Sequence, residues 1–432
     1  MLLAKVPADE AKRLGADLTP WGAEAAANAA GSIPEWRGGL TTAPPCFKGA
    51  GSRYCDPFPD EQPLYTVSAA NLAEHRMYLS PGQQALLERY PDSYRMRVFP
   101  TRRSFANPAA LYEAARRNAE TAVLGEGETL LDARLGVPFP IPGDGREILF
   151  NHRLRYLGGA YRRVFAQFAV TAGGDISLTR VREDYRAPYS LAAPTAKEAG
   201  VVMRQTLHQV LQPPRLAGSL LLQHEMQQPL REAHRAWQYS PGQERLRRTA
   251  TLAYDTPGLG ADNLRFNDQL DGFSGPGDRY DWKLVGKAEH LVPANSYVLH
   301  SDRYRYAEIV RRHHLNPDLP RYELRRVWVV EAQLRKTSSH PYRKRRLYVD
   351  EDGWQIRVVD LYDGSDQLWR VQEVHSLPAY DQLFELPVGE TVYDLPSGRY
   401  LAQGLNNEDP ETLVQALEPG QFEPGTVSRL AK

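Results

Sequence analysis

From about Ile148 onward, apolar side chains recur at every second position, and this alternation constrains the fold more than any other feature. Tyr322, Leu324, Trp328, Val330, Ala332 and Leu334 are expected to point one way, and Glu323, Arg325, Glu331 and Gln333 the other. That is the period of a strand with one buried face. Tyr348-Val-Asp-Glu-Asp-Gly-Trp354 places an acidic, glycine-containing reversal between two β-branched and aromatic runs, and Asp360 to Trp369 repeats the signal. Further strands are expected at Tyr161–Val170, Asp175–Arg182, Gly218–Gln227, Arg245–Tyr254 and Asp281–Val292. Eight or more strands in sequence, with few crossover helices, specify one large curved antiparallel sheet. Such a sheet must cover its apolar face with helices or close upon itself.

The cover comes from upstream. Ser68 is placed to N-cap a segment ending near Tyr78, and Ser80-Pro81 starts a helix that carries Leu86, Leu87 and Tyr90 before Pro91 stops it. Pro108–Leu124 has helical spacing, and another helix is expected around Lys197–Leu211. The resulting organisation is a turn-rich arm over 1–61, a helical segment over 62–147, the sheet over 148–400 and a tail over 401–432. The fold class is mainly β with α.

Composition narrows the function. Lys and Arg together number 53, as do Asp and Glu, which removes the electrostatic case for a nucleic-acid binder or an anionic-membrane surface protein. No apolar run approaches 18 residues, so no spanning helix is expected. The first residues lack the basic and apolar regions of a secretory signal: the chain is either cytoplasmic or a mature form whose leader has been removed. The two cysteines, Cys46 and Cys55, flank eight glycine-rich residues that can bend back far enough for a disulfide, which would point to an oxidising compartment. Free thiols, or half of a metal site, are the alternatives.

The catalytic motifs fail on inspection. His224-Glu225-Met-Gln-Gln228 has Gln where a zinc motif needs its second His; Gly272-Phe-Ser-Gly-Pro276 has Pro where a nucleophile elbow needs Gly. No phosphate-binding glycine loop is present, and no cofactor or metal is called for. Two constellations remain. Asp262, Asp268, Asp271, Asp278 and Asp281 could pair for acid–base chemistry, although a long loop using Asp as turn former explains them too. Arginines (Arg245, Arg247 and Arg248; Arg325 and Arg326; Arg343, Arg345 and Arg346) accompany Trp282, Trp328, Trp354 and Trp369 on strands. These could form an apolar face rimmed by cations for anionic head groups, or simply a core with a solvated Arg face.

Taken together, the ordered strings resemble the periplasmic family catalogued as domain of unknown function 1329, related to outer-membrane lipoprotein-sorting proteins. The strings include Leu18-Thr-Pro-x-Gly-Ala-Glu24, Gly31-Ser-Ile-Pro-Glu-Trp36, Pro100-Thr-Arg-Arg103, Gly136-Val-Pro-Phe-Pro-Ile-Pro142, Asn151-His-Arg-Leu-Arg-Tyr156 and Ser240-Pro-Gly-Gln-Glu-Arg-Leu-Arg-Arg248. Asp278-Arg-Tyr-Asp-Trp-Lys-Leu-x-Gly-Lys287, Tyr348-x-Asp-Glu-Asp-x-Trp354 and Asp394-Leu-x-Ser-Gly-Arg-Tyr400 continue them, so that the likeness runs from about residue 13 to 400. Phe150, where the pattern has Trp, and the context of Ala294 depart from it. The resemblance implies export through a cleaved leader, a periplasmic location and a half-barrel like that of lipoprotein carriers. It also implies association with outer-membrane proteins and resistance-nodulation-division exporters. It supplies no catalytic residues.

The expected function is therefore a non-enzymatic carrier that buries a lipid or other hydrophobic ligand, with Trp282, Trp328, Trp354, Trp369, Tyr322 and Leu324 as lining residues. The alternatives are a hydrolase using the Asp262–Asp281 carboxylates and a structural adaptor in an exporter or outer-membrane complex.

Overall fold

The computed structural model describes residues 6–229, 231–248, 254–410 and 416–430. Two short strands, β1 (Tyr65–Val67) and β2 (Met96–Val98), precede a small ladder of β3 (Val123–Leu124) with β4 (Leu130–Leu131). The main sheet then runs through β5 (Ala160–Val170), β6 (Ile176–Arg186), β7 (Val202–Gln212), β8 (Leu220–Met226), β9 (Arg235–Ser240) and β10 (Arg245–Arg248). It resumes with β11 (Tyr280–Pro293), β12 (Tyr322–Leu334), β13 (Lys344–Asp350), β14 (Ile356–Tyr362), β15 (Leu368–Ala379), β16 (Phe384–Asp394) and β17 (Arg399–Leu405). Hydrogen bonding joins β12 through β17 in chain order, then β17 to β5 and on to β10; β11 lies against β12. Among the described residues no ladder joins β10 to β11, so the sheet is an open half-barrel, mainly antiparallel with a few helices.

Where a helix was expected over 197–211, the chain forms β7. Only Glu198 and its neighbours turn: the Glu198 carboxylate accepts from the Thr195 backbone and hydroxyl and pairs with Arg186, after which the β-branched and aliphatic residues from Val202 extend. The expected strand Arg245–Tyr254 is seen as β10, and residues 249–253 lie outside the described residues.

Both faces of the sheet are covered. One face, here the back, carries Tyr348, Val358, Val371, Tyr393 and Tyr400 against Leu86 and Leu87 of the Pro81–Arg89 helix. Ser80 caps that helix with a reciprocal bond to Gln83, and Pro81 occupies its first turn. Gly82 lets it sit close: a Cβ there would come within 2.5 Å of Val371 and Asp360. The front face carries Val330, Leu347, Val349, Val359 and Leu361 against Leu111 and Ala115 of the Ala109–Thr121 helix, Ile148 and Leu149 of the Gly145–Leu154 helix, and Phe266 and Phe273. No helix among the described residues is long and apolar enough to cross a membrane.

Strand β12 does not keep one face throughout. Trp328 and Val330 join the front core, whereas Tyr322 and Leu324 belong to the back one, where Tyr322 pairs in parallel with Val98 of β2. The simple alternation read from the sequence is thus broken where the strand acquires a second neighbour.

Cys46 and Cys55 form a disulfide with Cα atoms 6.1 Å apart. It closes a loop whose Phe47 and Tyr54 stack 5.5 Å apart, and both meet Tyr380 edge-on at 5.1 Å. Closing so short a loop is worth about 2–3 kcal/mol in the chain-entropy picture. A double Cys46→Ser, Cys55→Ser variant is expected to unfold in urea with that loss, and the parent protein with reductant should match it. A variant as stable as the oxidised parent would contradict this.

Candidate ligand cleft

The Thr171–Asp175 reversal sets a register in which Tyr161 faces Tyr185 and Arg163 faces Glu183 across β5 and β6. On β7, Thr206 comes opposite Tyr185 and His208 opposite Glu183; on β8, Gln223 comes opposite Thr206. Side chains at these positions share the front face. Between them and the Leu270–Ser274 loop lies a cavity of about 70 Å³, also lined by Leu157, Arg204, Glu225, Pro387 and Glu390. Larger surface grooves occur beside Leu40 and Arg102 and beside Arg117 and Arg134, of about 450 and 680 Å³. The smaller cavity is the one where buried ionisable groups converge.

Glu183 is the hub. Its carboxylate accepts from Arg163 Nε at 2.8 Å and Tyr161 Oη at 2.9 Å, and lies 2.7 Å from His208 Nε2. Burial alone would push the Glu183 pKa up, but Arg163, His208 and Tyr161 outweigh it and hold the group below the usual carboxylate range. Arg204 donates to Glu225 at 2.5 Å and to the Ser274 carbonyl at 2.8 Å. Burial likewise works against ionised Glu225, and Arg204 with Arg153 prevails. Glu390 makes no ion pair among the described residues: it accepts from the Asp271 backbone and from Gln372, each at 2.9 Å, and burial with the neighbouring Asp271 outweighs the pull of Arg265 and lifts it to about 7. The loop is therefore tied to the sheet at Asp271 and Ser274.

The cavity floor merges into an apolar cluster containing Leu157, Tyr161, Tyr185, Leu377 and Phe384, with Tyr156 half-buried at its margin. Tyr161 and Tyr185 stack 4.7 Å apart. Aliphatic, aromatic and internally paired charged groups thus meet in one place.

Apart from Asp271, which lines the cleft, the residues singled out from the sequence lie elsewhere. Trp282, Trp328 and Trp369 are half-buried in the front core, and Trp354 is fully buried there. Trp328 and Trp354 stack 6.1 Å apart; Trp354 donates to the Trp21 carbonyl, Trp282 to that of Gly277 and Trp369 to Asp394. Tyr322 is 2% exposed and donates to Glu373 on the back side, where half-buried Leu324 also packs. The four tryptophans are brought together, with the protein's own helices over them; Tyr322 and Leu324 are separate from them. The aspartates do not converge. Asp262 pairs with Arg399, Asp268 with Arg345 and His340, Asp271 with Arg155, and Asp281 with Arg335, while Asp278 accepts from Tyr254. Among the described residues no group of three or more His, Cys, Asp or Glu side chains is placed to hold a metal ion.

The cleft residues other than Asp271 were not singled out from the sequence, although one signal was there. Arg162-Arg163 and Glu183-Asp184 sit symmetrically about a Gly-Gly-Asp reversal, which pairs their charges across the hairpin.

Known structures with a similar backbone have little sequence in common with this one. A domain named for outer-membrane lipoprotein sorting, from Vibrio parahaemolyticus, is 15% identical; the match covers 66% of this chain and 98% of that one, with a TM-score of 0.45. A DUF1329 family protein from Desulfovibrio piger is 13% identical over 62% of this chain and 91% of its own, with a TM-score of 0.42. A LolA superfamily protein from Nitrosomonas europaea gives 12% identity, 66% and 99% coverage and a TM-score of 0.40. An uncharacterized protein of Pseudomonas aeruginosa is 44% identical over 411 residues, 95% of this chain and 90% of that protein. With residues 66–428 matching the family described as Protein of unknown function (DUF1329), the chain belongs to that family.

Proposed function

We propose that this protein is a non-enzymatic periplasmic carrier for an amphiphile, whose polar end enters the cleft between β5–β8 and the Leu270–Ser274 loop. The observation that carries this reading is the meeting of Leu157, Leu270 and Pro387 with the paired charges of Glu183 and Arg204 around one cavity. A space of about 70 Å³ takes a small head group, not an acyl chain. The chain must then follow the apolar cluster toward Tyr156 and Phe384. Burying some 300 Å² of it would contribute on the order of 7 kcal/mol before the costs of association, a strength compatible with release. In this proposal Trp282, Trp328, Trp354 and Trp369, with Tyr322 and Leu324, touch the ligand only when the covering helices and loop move aside. Hand-over to an outer-membrane protein or a resistance-nodulation-division exporter is the trafficking step the proposal adds.

Native mass spectrometry of protein incubated with a lipid-rich extract tests it. A bound amphiphile is expected, and Thr206→Trp, which fills the cavity from β7, should cut occupancy at least tenfold with the fold intact by circular dichroism. Equal retention by Thr206→Trp would place the binding elsewhere.

A further inference from the structure

We propose that the polar end recognised in this cleft is uncharged and hydroxylated, a glycerol- or sugar-like group, and not a phosphate, carboxylate or ammonium. The inference rests on the cleft being the ligand site and concerns only what it selects. It follows from how the cleft's polar groups are already spent.

Each cation lining the cavity has its anion. Arg163 is on Glu183 at 2.8 Å through Nε, and one of its two terminal nitrogens donates to the Pro387 carbonyl at 2.9 Å. Arg204 is on Glu225 at 2.5 Å and on the Ser274 carbonyl. A phosphate or carboxylate would have to displace one of these carboxylates, and it would enter beside Glu390 and Asp271. The anions are equally committed. Glu183 is held by three side chains, Glu225 by Arg204 and Arg153, and Asp271 by Arg155 and Gln355. Glu390, the carboxylate without an ion pair in the lining, accepts one hydrogen bond on each oxygen, from the Asp271 backbone and from Gln372. An ammonium group would have to share a carboxylate oxygen that already accepts a hydrogen bond, and stripping a charge of water without a partner of its own is costly.

Three neutral groups remain. Tyr185 Oη, Thr206 Oγ1 and the Gln223 amide line the cavity and make no hydrogen bond to the described residues. Tyr185 faces Thr206 and Thr206 faces Gln223 in the ladder, so the three stand in a row across adjacent strands. With strands spaced about 4.8 Å apart, the row spans roughly 10 Å. Both hydroxyls and the amide can donate and accept, which is what a set of vicinal hydroxyl groups requires of its partners.

The test uses four probes sharing one twelve-carbon chain, each below its micelle-forming concentration: dodecyl glucoside, monolauroyl glycerol, dodecyl phosphate and dodecyltrimethylammonium. Calorimetric titration is expected to give the two neutral probes at least tenfold lower Kd than either charged one. Tyr185→Phe and Thr206→Val, both of which remove a hydroxyl while keeping the side chain's bulk, should each weaken the neutral probes roughly fivefold and leave the charged ones unchanged. Equal or tighter binding of the phosphate or the ammonium probe overturns the inference and leaves the amphiphile reading standing. If no probe binds, the cleft is not the ligand site and both fall.

Discussion

Replacing Arg103 by Met is expected to cost about 3 kcal/mol and to loosen the N-terminal arm, because it leaves the buried Asp352 with Arg325 as its remaining cation and takes a donor from three carbonyls of the arm. The Arg103 side chain is 2% exposed and grips Asp352 through two of its nitrogens, at 2.6 and 3.1 Å. Its other contacts are backbone carbonyls of the arm: Glu24 at 2.7 Å, Ala25 at 3.1 Å and Pro34 at 3.3 Å. Arg326 extends the clasp by donating to the Ala26 carbonyl at 2.6 Å and pairing with Glu351, while Lys287 bridges Glu24 and Glu351. The arm is thus held to the β13–β14 turn by guanidinium forks, a geometry lysine cannot reproduce. Arg103→Lys should therefore recover less than half of the loss. Urea unfolding gives the magnitude, and limited proteolysis gives the place, with new cuts expected between residues 13 and 40. A Met variant within about 0.5 kcal/mol of the parent, still resistant to protease, would show that the clasp is dispensable.

The same clasp explains what several of the sequence strings were for. Leu18-Thr-Pro-x-Gly-Ala-Glu24, Pro100-Thr-Arg-Arg103 and Tyr348-x-Asp-Glu-Asp-x-Trp354 lie far apart in the chain yet assemble at one end of the sheet. Their arginines and carboxylates read singly as turn formers and solvated charges. Arg325, Arg326 and Arg345, expected on a rim, are buried against Glu323, Glu351 and Asp268. Arg325 and Glu323 are neighbours on one face of β12, but local spacing gives no hint of the Arg326 and Arg345 pairs, whose partners come from a turn and from a loop on another part of the chain. By contrast the meander from β12 to β15 was legible because its hairpins are short: Tyr348 to Trp354 and Asp360 to Trp369 fix strand and turn within a dozen residues. β7 was missed because Ala196-Lys-Glu198 imitates a helix start, whereas the segment's fate is set by pairing with β6 and β8. The cleft falls between these cases. The Arg163–Glu183 pair could be read from one hairpin, but His208, Glu225 and Glu390 reach the cavity through later strands and a β-bulge near Val181.

Glu373→Gln is expected to stabilise the protein by about 3 kcal/mol at pH 8 and to leave it nearly unchanged at pH 4. Glu373 sits on β15 within the back core, 1% exposed. Its oxygens accept from Gln83 Nε2 at 3.1 Å and from Tyr322 Oη at 2.9 Å, and among the described residues no ion pair reaches it. Asp360 lies in the same core, bonded to Ser80, the Gly82 backbone and Tyr348. Burial, reinforced by Asp360, raises the Glu373 pKa from an ordinary 4.5 to about 7. A carboxyl whose folded pKa lies above its unfolded value binds its proton more tightly in the native state. Its contribution is fully present below about pH 4.5 and is lost as pH rises through 7, so stability falls across that window. At 1.36 kcal/mol per pKa unit, the upward shift of Glu373 corresponds to about 3 kcal/mol of penalty at pH 8. Glutamine removes the ionisation and keeps both contacts: its carbonyl accepts from Gln83, and its amide donates to the Tyr322 hydroxyl, which can turn toward Tyr94 Oη 3.4 Å away. Because the carboxylates away from this core titrate alike in parent and variant, their difference in urea unfolding at pH 4, 6 and 8 isolates Glu373 together with its coupling to Asp360. A difference that stays flat across those three pH values would mean that folding does not shift the Glu373 pKa.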